Sequence, residues 1–166
     1  MKNLYLVRHA KSSWKDFEIL SDFERPLNKR GKRDAPFMGN ILLKMGILPE
    51  LLLSSPAQRA RSTAIEIAKA INYPIDNIQY KAAIYEASIY ELIDIVQNLP
   101  EQYQSAMLFG HNPAFTILAN IYSDKPIENL PTCGILAIQF EVDTWAAAKA
   151  ETAQLLWFEY PKLYLE

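Results

Sequence analysis

Along this chain, short apolar runs take turns with stretches whose apolar residues recur every three or four positions. Leu4 to Val7, Leu51 to Leu53 and Ala106 to Phe109 are apolar runs bounded by polar residues, the pattern of strands buried on both faces. Ile135 to Phe140 and Gln154 to Tyr160 read as two more strands, with a short helix over Thr144 to Ala150 between them. Asn77 to Lys81 reads as a weak one. Asn28 caps a helix that runs to about Met45, with Met38, Ile41, Leu42 and Met45 inward, Gly46 as terminator and a kink expected at Pro36. Ser55, Pro56 and Gln58 have the spacing of a capped helix start, and Ala57, Ala60, Ala64, Ile67, Ala68 and Ile71 then share one face. Two more helices follow: Ser88 to Leu99, with Leu92, Ile93 and Val96 inward, and one started by Asn112 and Pro113 that ends near Tyr122. This alternation predicts a single three-layer α/β/α domain over residues 1–166, built on a mostly parallel central sheet.

In open α/β sheets, ligands bind beyond the carboxyl ends of the strands, and there the sequence places its rarest side chains. Arg8 and His9 end the first strand, and His111, the only other histidine, ends the Ala106–Phe109 strand. Arg59 lies in the first turn of the helix after the second strand. If those strands are parallel neighbours, the four side chains meet at one edge, beside two helix N-termini that favour an anion. Arginine forks suit phosphate oxygens, and a neutral imidazole is a nucleophile toward phosphorus. His9, beside Arg8, is assigned the attack. His111 is assigned a hydrogen bond to a phosphoryl oxygen in the transition state. Glu86 is the candidate proton donor to the leaving group, with Asp16, Glu18, Asp22 and Glu24 of the long Ala10–Leu27 connection as alternatives. Lys11, Lys15, Arg25 and Arg61 would extend the cationic rim, and Ser12 joins Lys15 as a candidate phosphate contact.

Composition narrows the classes. The net charge of −2 gives no broad basic field, so neither nucleic acid nor a membrane surface is an expected partner. No apolar run approaches the roughly 18 residues of a membrane span, and Met1-Lys2-Asn3 leads straight into a strand, so a cytoplasmic protein is expected. The lone Cys133 excludes an internal disulfide and a cysteine-rich zinc site. It lacks the arginine six residues on that a cysteine phosphatase needs (Gln139 stands there), so a buried thiol is expected. The histidines form no HExxH pattern, and five glycines supply no phosphate loop or dinucleotide fingerprint. No metal and no cofactor are expected.

At these positions the chain resembles the histidine phosphatase superfamily, the phosphoglycerate mutase-like family. Arg8-His9-Ala10 is similar to its Arg-His-Gly triplet, and Ser54-Ser55-Pro56 with Arg59-Ala60 and Thr63-Ala64 resembles its second-arginine segment. Gly110-His111-Asn112-Pro113 and the Arg25-to-Gly31 segment also have counterparts there. Within the family, the Arg8-to-Trp14 wording looks most like the SixA-type phosphohistidine phosphatases. The resemblance covers Leu4 to about Ile121. It implies a phosphoglycerate mutase-like fold, a metal-independent phosphatase with a phosphohistidine intermediate on His9, and a phosphate pocket of Arg8, Arg59 and His111. It also places Glu86, in Tyr85-Glu86-Ala87-Ser88, where the family holds its acid. Ala10 departs from the family glycine, and Lys11 stands where mutase-type members carry Glu, which disfavours sugar-phosphate recognition. Only 51 residues separate Arg59 from His111, leaving little chain for a lid. An uncovered pocket suits a phosphorylated side chain on another protein. The expected reaction therefore releases inorganic phosphate from protein phosphohistidine. The alternatives are a phosphomonoesterase or mutase for small phosphorylated metabolites, and a non-catalytic phospho-binding module.

Overall fold

Each central strand sends alternate side chains to opposite faces of one sheet, and both sets are apolar. Leu4, Leu6, Leu51, Leu53, Ala106, Leu108, Leu136, Ile138 and Phe140 pack into one buried cluster. Val7, Leu52, Met107, Phe109 and Ile135 pack into the other. The computed structural model, which describes residues 1–15 and 19–165, therefore has helices on both sides of its sheet. The strands are β1 (Lys2–Arg8), β2 (Leu51–Ser54), β3 (Gln79–Tyr80), β4 (Ser105–Gly110), β5 (Ile135–Phe140) and β6 (Ala153–Glu159). Their order across the sheet is β3-β2-β4-β1-β5-β6. The strands β3, β2, β4 and β1 are mutually parallel, and β5 is antiparallel to both β1 and β6, so β5 alone runs against the rest.

Helices α1 (Lys29–Lys44) and α2 (Gln58–Ala70) cover one face through Ala35, Met38, Leu42, Ala64, Ile67 and Ala68. Helices α3 (Ile89–Gln97) and α4 (Ala114–Tyr122) cover the other through Leu92, Ile95, Val96, Phe115, Leu118 and Tyr122. Asn28 caps α1 as expected, its side chain accepting the Gly31 N–H at 2.9 Å. Helix α1 runs through Pro36 without a break. Proline removes the N–H that would meet the Lys32 carbonyl, but Lys32 is exposed, so water can satisfy that oxygen. Met45 lies past the helix end and is exposed.

Several boundaries differ from the sequence expectation. Helix α2 begins at Gln58 with Ala57 at its N-cap and no side-chain cap. Ser55 sits further back, Gln58 bonds Ser62 instead of closing a capping box, and α4 begins at Ala114. The weak strand shrinks to Gln79–Tyr80 at the sheet edge, and Thr144–Ala150 forms only a 3₁₀ turn over Trp145–Ala147. Among the described residues, no helix is long and apolar enough to cross a membrane.

Candidate active site

The topology decides which residues meet. Strands β1 and β4 are adjacent and parallel, with Arg8 opposite Gly110, so the residues that follow each strand become neighbours. The ladder continues past the strand ends: the His9 N–H donates to the Gly110 carbonyl at 3.0 Å, and the Ser55 N–H to the Phe109 carbonyl at 3.0 Å. Two glycines permit this close stitching. A side chain at Gly110 would collide with the Phe115 ring, and one at Gly31 with the Lys11 carbonyl, where the loop after β1 lies against the first turn of α1. As a result the His9 and His111 rings lie 5.3 Å apart, centroid to centroid. They share a pocket of about 240 Å³ with Arg8, Arg59, Arg25, Ser12, Lys11, Trp14, Asn112 and Thr132.

His9 is almost fully buried, 7% exposed. Its Nδ1 lies 2.7 Å from the Ala10 carbonyl. A carbonyl only accepts, so Nδ1 carries the hydrogen and Nε2 keeps the free lone pair. Burial, offset in part by the Ala10 hydrogen bond and reinforced by His111, Arg59 and Arg8, lowers the His9 pKa to about 3. Ala10 fits the glycine position without strain. It is fully buried, is not among the residues with positive φ, and its N–H donates to Thr63 Oγ1 at 2.9 Å. That hydroxyl donates onward to the Arg59 carbonyl at 2.7 Å, tying the His9 loop to the first turn of α2.

His111 Nε2 lies 2.8 Å from Ser55 Oγ, while its Nδ1 is buried with no hydrogen-bond partner among the described residues. Burial first, then the Arg59 charge, lowers its pKa to about 4. Ser55 accepts the Ala57 N–H at 3.2 Å. Its hydroxyl is therefore engaged with His111 and the turn ahead of α2, which is why α2 starts without a side-chain cap. The Arg8 guanidinium donates to the Leu130 carbonyl at 3.1 Å, and its Nε is a buried donor with no partner among the described residues.

Arg59 is 6% exposed. Its Nη1 donates to the Asp22 carbonyl at 2.6 Å and its Nη2 to Asp22 Oδ2 at 3.0 Å. Asp22 Oδ2 also receives the Tyr85 hydroxyl at 2.7 Å, and Oδ1 receives Arg25 Nη1 at 3.0 Å. Burial alone would raise the Asp22 pKa, but the hydrogen bonds from Tyr85, Arg25 and Arg59 prevail and lower it to about 2. Arg25 in turn donates to Ser12 Oγ and to the Ser13 carbonyl, and stacks 3.3 Å from the Trp14 ring centroid.

The structure thus brings Arg8, His9, Ser12, Arg59 and His111 around one pocket. Lys15 lines a neighbouring hollow instead, with Lys29 and Lys32. Glu86 lines another, which meets the pocket at His111 and Asn112; its backbone is left-handed, at φ 59°. Asp16 and Glu18 lie outside the described residues. The sequence reading assigns no role to Tyr85 or Thr63 beyond their motifs, nor to Thr132, and the family resemblance stops near Ile121. The turn ahead of β5 holds the His9 loop. The Cys133 N–H donates to the Arg8 and His9 carbonyls at 3.0 and 3.1 Å, and the Arg8 N–H donates to the Gly134 carbonyl at 3.2 Å. Cys133 itself is fully buried, and burial pushes its thiol pKa up. Among the described residues, no group of three histidine, cysteine or acidic side chains is placed to hold a metal ion.

The buried imidazoles predict a pH signature in stability. In the unfolded chain a histidine takes up its proton near pH 6.5, whereas His9 in the fold stays neutral down to about 3. The unfolded state then binds more protons across this window, so stability falls as pH drops below 6.5, by about 1.4 kcal/mol per pH unit from His9. Urea midpoints of wild type and His9→Asn, compared at pH 7.5 and pH 5, should diverge, with the variant losing less. Parallel losses would contradict a neutral His9.

The profile of the histidine phosphatase superfamily (branch 1) matches residues 4–108. An uncharacterized chloroplast protein of Arabidopsis thaliana is 32% identical over 157 residues, covering 90% of this chain and 71% of that protein. An uncharacterized protein of Mycobacterium tuberculosis is 27% identical over 166 residues, covering 94% of this chain and all of its own. Among solved structures, the protein histidine phosphatase SixA complexed with tungstate superposes with a TM-score of 0.81 at 19% identity, covering 97% of this chain and 98% of that one. A structure assigned to SixA from Agrobacterium tumefaciens gives 0.80 at 26% identity, with 96% and 98% covered. With a profile match over more than half its length, and a fold shared almost end to end with these structures, the chain belongs to the histidine phosphatase superfamily.

Proposed function

We propose that this chain is a phosphatase that acts on protein phosphohistidine through a phosphoenzyme formed on His9. The observation that carries the chemistry is the His9 tautomer. With Nδ1–H spent on the Ala10 carbonyl, the Nε2 lone pair attacks phosphorus, and the bond from phosphorus to the leaving nitrogen breaks. That nitrogen keeps the electron pair and takes up a proton. Water then attacks phospho-His9, the new P–N bond breaks, and inorganic phosphate leaves with the imidazole restored. Arg8, Arg59 and His111 supply donors to the phosphoryl oxygens. Arg8 Nε suits that role as a buried donor with no partner among the described residues, and His111 Nδ1 joins it in the tautomer in which Nε2 accepts the Ser55 hydroxyl.

The substrate reading rests on the leaving-group side. The hollow that meets the pocket at His111 and Asn112 is walled by Ile84, Ala87, Ile89, Pro113, Ala114 and Ile117, with Glu86 as its one charged residue. A polyhydroxylated leaving group would find few partners there. An imidazole ring with one nitrogen to protonate fits better, and an open pocket can receive it from a protein surface. SixA, one of the solved structures that share this fold, is a protein histidine phosphatase, which favours the same class.

Wild type should hydrolyse a phosphohistidine-bearing protein at least about tenfold faster, in kcat/KM, than any member of a sugar-phosphate panel. The reverse preference would replace this reading with a phosphomonoesterase acting on small metabolites. In the same assay Glu86→Gln should slow aryl phosphate esters by about 10² to 10³, the usual worth of a proton donor. It should slow the phosphoramidate far less, because an imidazole leaving group can be protonated beforehand. Equal losses on both substrates would remove Glu86 from the donor role.

A further inference from the structure

We infer that Asp22 is a positioning residue that pairs Arg59 with Arg25 and sets the charge of the pocket, so that phosphate is held firmly enough to react and loosely enough to leave. Asp22 sits on a single 3₁₀ turn, Asp22–Glu24, in the loop between β1 and α1. The turn is fixed locally: Ser21 donates to Glu24 Oε1 from its hydroxyl at 2.8 Å and from its N–H at 3.3 Å. From that anchor Asp22 reaches three separate parts of the chain, namely Arg25, Arg59 on α2 and Tyr85 after β3.

Geometry gives the carboxylate its first task. Arg59 has five N–H groups, and Asp22 takes two of them, one with its backbone oxygen and one with its side chain. A two-point contact fixes the rotation of the guanidinium plane and leaves three N–H groups for a phosphoryl group. Arg25 is fixed likewise, by Asp22, Ser12 and the Ser13 carbonyl together.

Charge gives the second. Arg8, Arg25 and Arg59, with the exposed Lys11, bring four positive charges to the pocket, and the histidines stay neutral near pH 7 because burial holds both pKa values low. Asp22 offsets one of them at the Arg25–Arg59 pair, so the excess over a phosphoryl dianion falls from two charges to one. Without it, two guanidiniums that are each only 6% exposed would face one another uncompensated. The first anion to enter, product phosphate included, would be retained.

The inference depends on the pocket being the phosphate site but not on phosphohistidine being the substrate, and a binding measurement separates the two. Titrating wild type, Asp22→Asn and Asp22→Ala with inorganic phosphate and with orthovanadate needs no turnover. Asp22→Asn keeps the volume and one acceptor oxygen while removing the charge. It should bind both anions about tenfold more tightly, the scale of one partly screened charge. In turnover its kcat and KM should fall together, because product release slows. Asp22→Ala should also bind phosphate more tightly than wild type, though less so, having lost the orienting contact with Arg59. If Asp22 were merely a structural pin, both variants would bind phosphate more weakly and KM would rise. That result, or unchanged affinity, overturns the proposal. Tighter phosphate binding in a protein inert toward phosphohistidine would uphold it and reject the substrate reading instead. The Asp22 side chain is 48% exposed, so neither substitution opens the core.

Discussion

Replacing His9 with alanine is expected to abolish turnover, by about 10⁴-fold or more, the scale on which losing a nucleophile is measured. No other side chain lining the pocket can take over the attack. Guanidinium and ammonium groups offer no lone pair, His111 has its Nε2 against Ser55 Oγ, and the hydroxyls of Ser12 and Thr132 have no base hydrogen-bonded to them among the described residues. The variant should still fold, because the only hydrogen bond described for the His9 ring is to the carbonyl of the next residue. Incubation with a labelled phosphoryl donor, followed by alkaline gel analysis, should show an acid-labile label on wild type and none on His9→Ala. Label persisting on the variant would mean that another group is the nucleophile, and the assigned roles of His9 and His111 would have to be exchanged.

Much of this site could be read before the coordinates, because its main determinants are local. The apolar runs ending in Arg8-His9 and Gly110-His111 mark strands by burial alone. Glycine before His111 is forced by the Phe115 ring, so the motif has a packing cause as well as a chemical one. Pairwise tertiary contacts were less legible. Nothing near Asp22 in sequence announces Arg59, 37 positions away, or Tyr85, 63 positions away. The capping signal at Ser55 misled for a related reason: the hydroxyl that local rules assign to a helix start lies against His111 instead. The turn ahead of β5 was invisible for a different reason. It grips the Arg8–His9 segment through the backbone groups of Leu130, Cys133 and Gly134, and backbone hydrogen bonding leaves little trace in side-chain pattern.

Arg59→Ala should cost about 3 kcal/mol of transition-state stabilisation, roughly 150-fold in kcat/KM. Two effects add. The phosphoryl oxygens lose a buried fork, and Asp22, left with Tyr85 and Arg25 but no longer covered by that guanidinium, presents more of its negative charge to an incoming dianion. Arg59→Lys restores the charge without the fork, so it should recover only part of the loss, since a point charge cannot hold Asp22 and phosphate with fixed geometry. The second effect makes the site non-additive. Once Arg59 is gone, Asp22 no longer offsets excess positive charge and only repels, so Asp22→Asn in the Arg59→Ala background should raise kcat/KM several-fold, although the same substitution lowers kcat in wild type. A double-mutant cycle measures this directly. An Asp22→Asn effect on kcat/KM that is the same in both backgrounds would mean that Asp22 and Arg59 act independently, and that their 3.0 Å contact has no part in how phosphate is held.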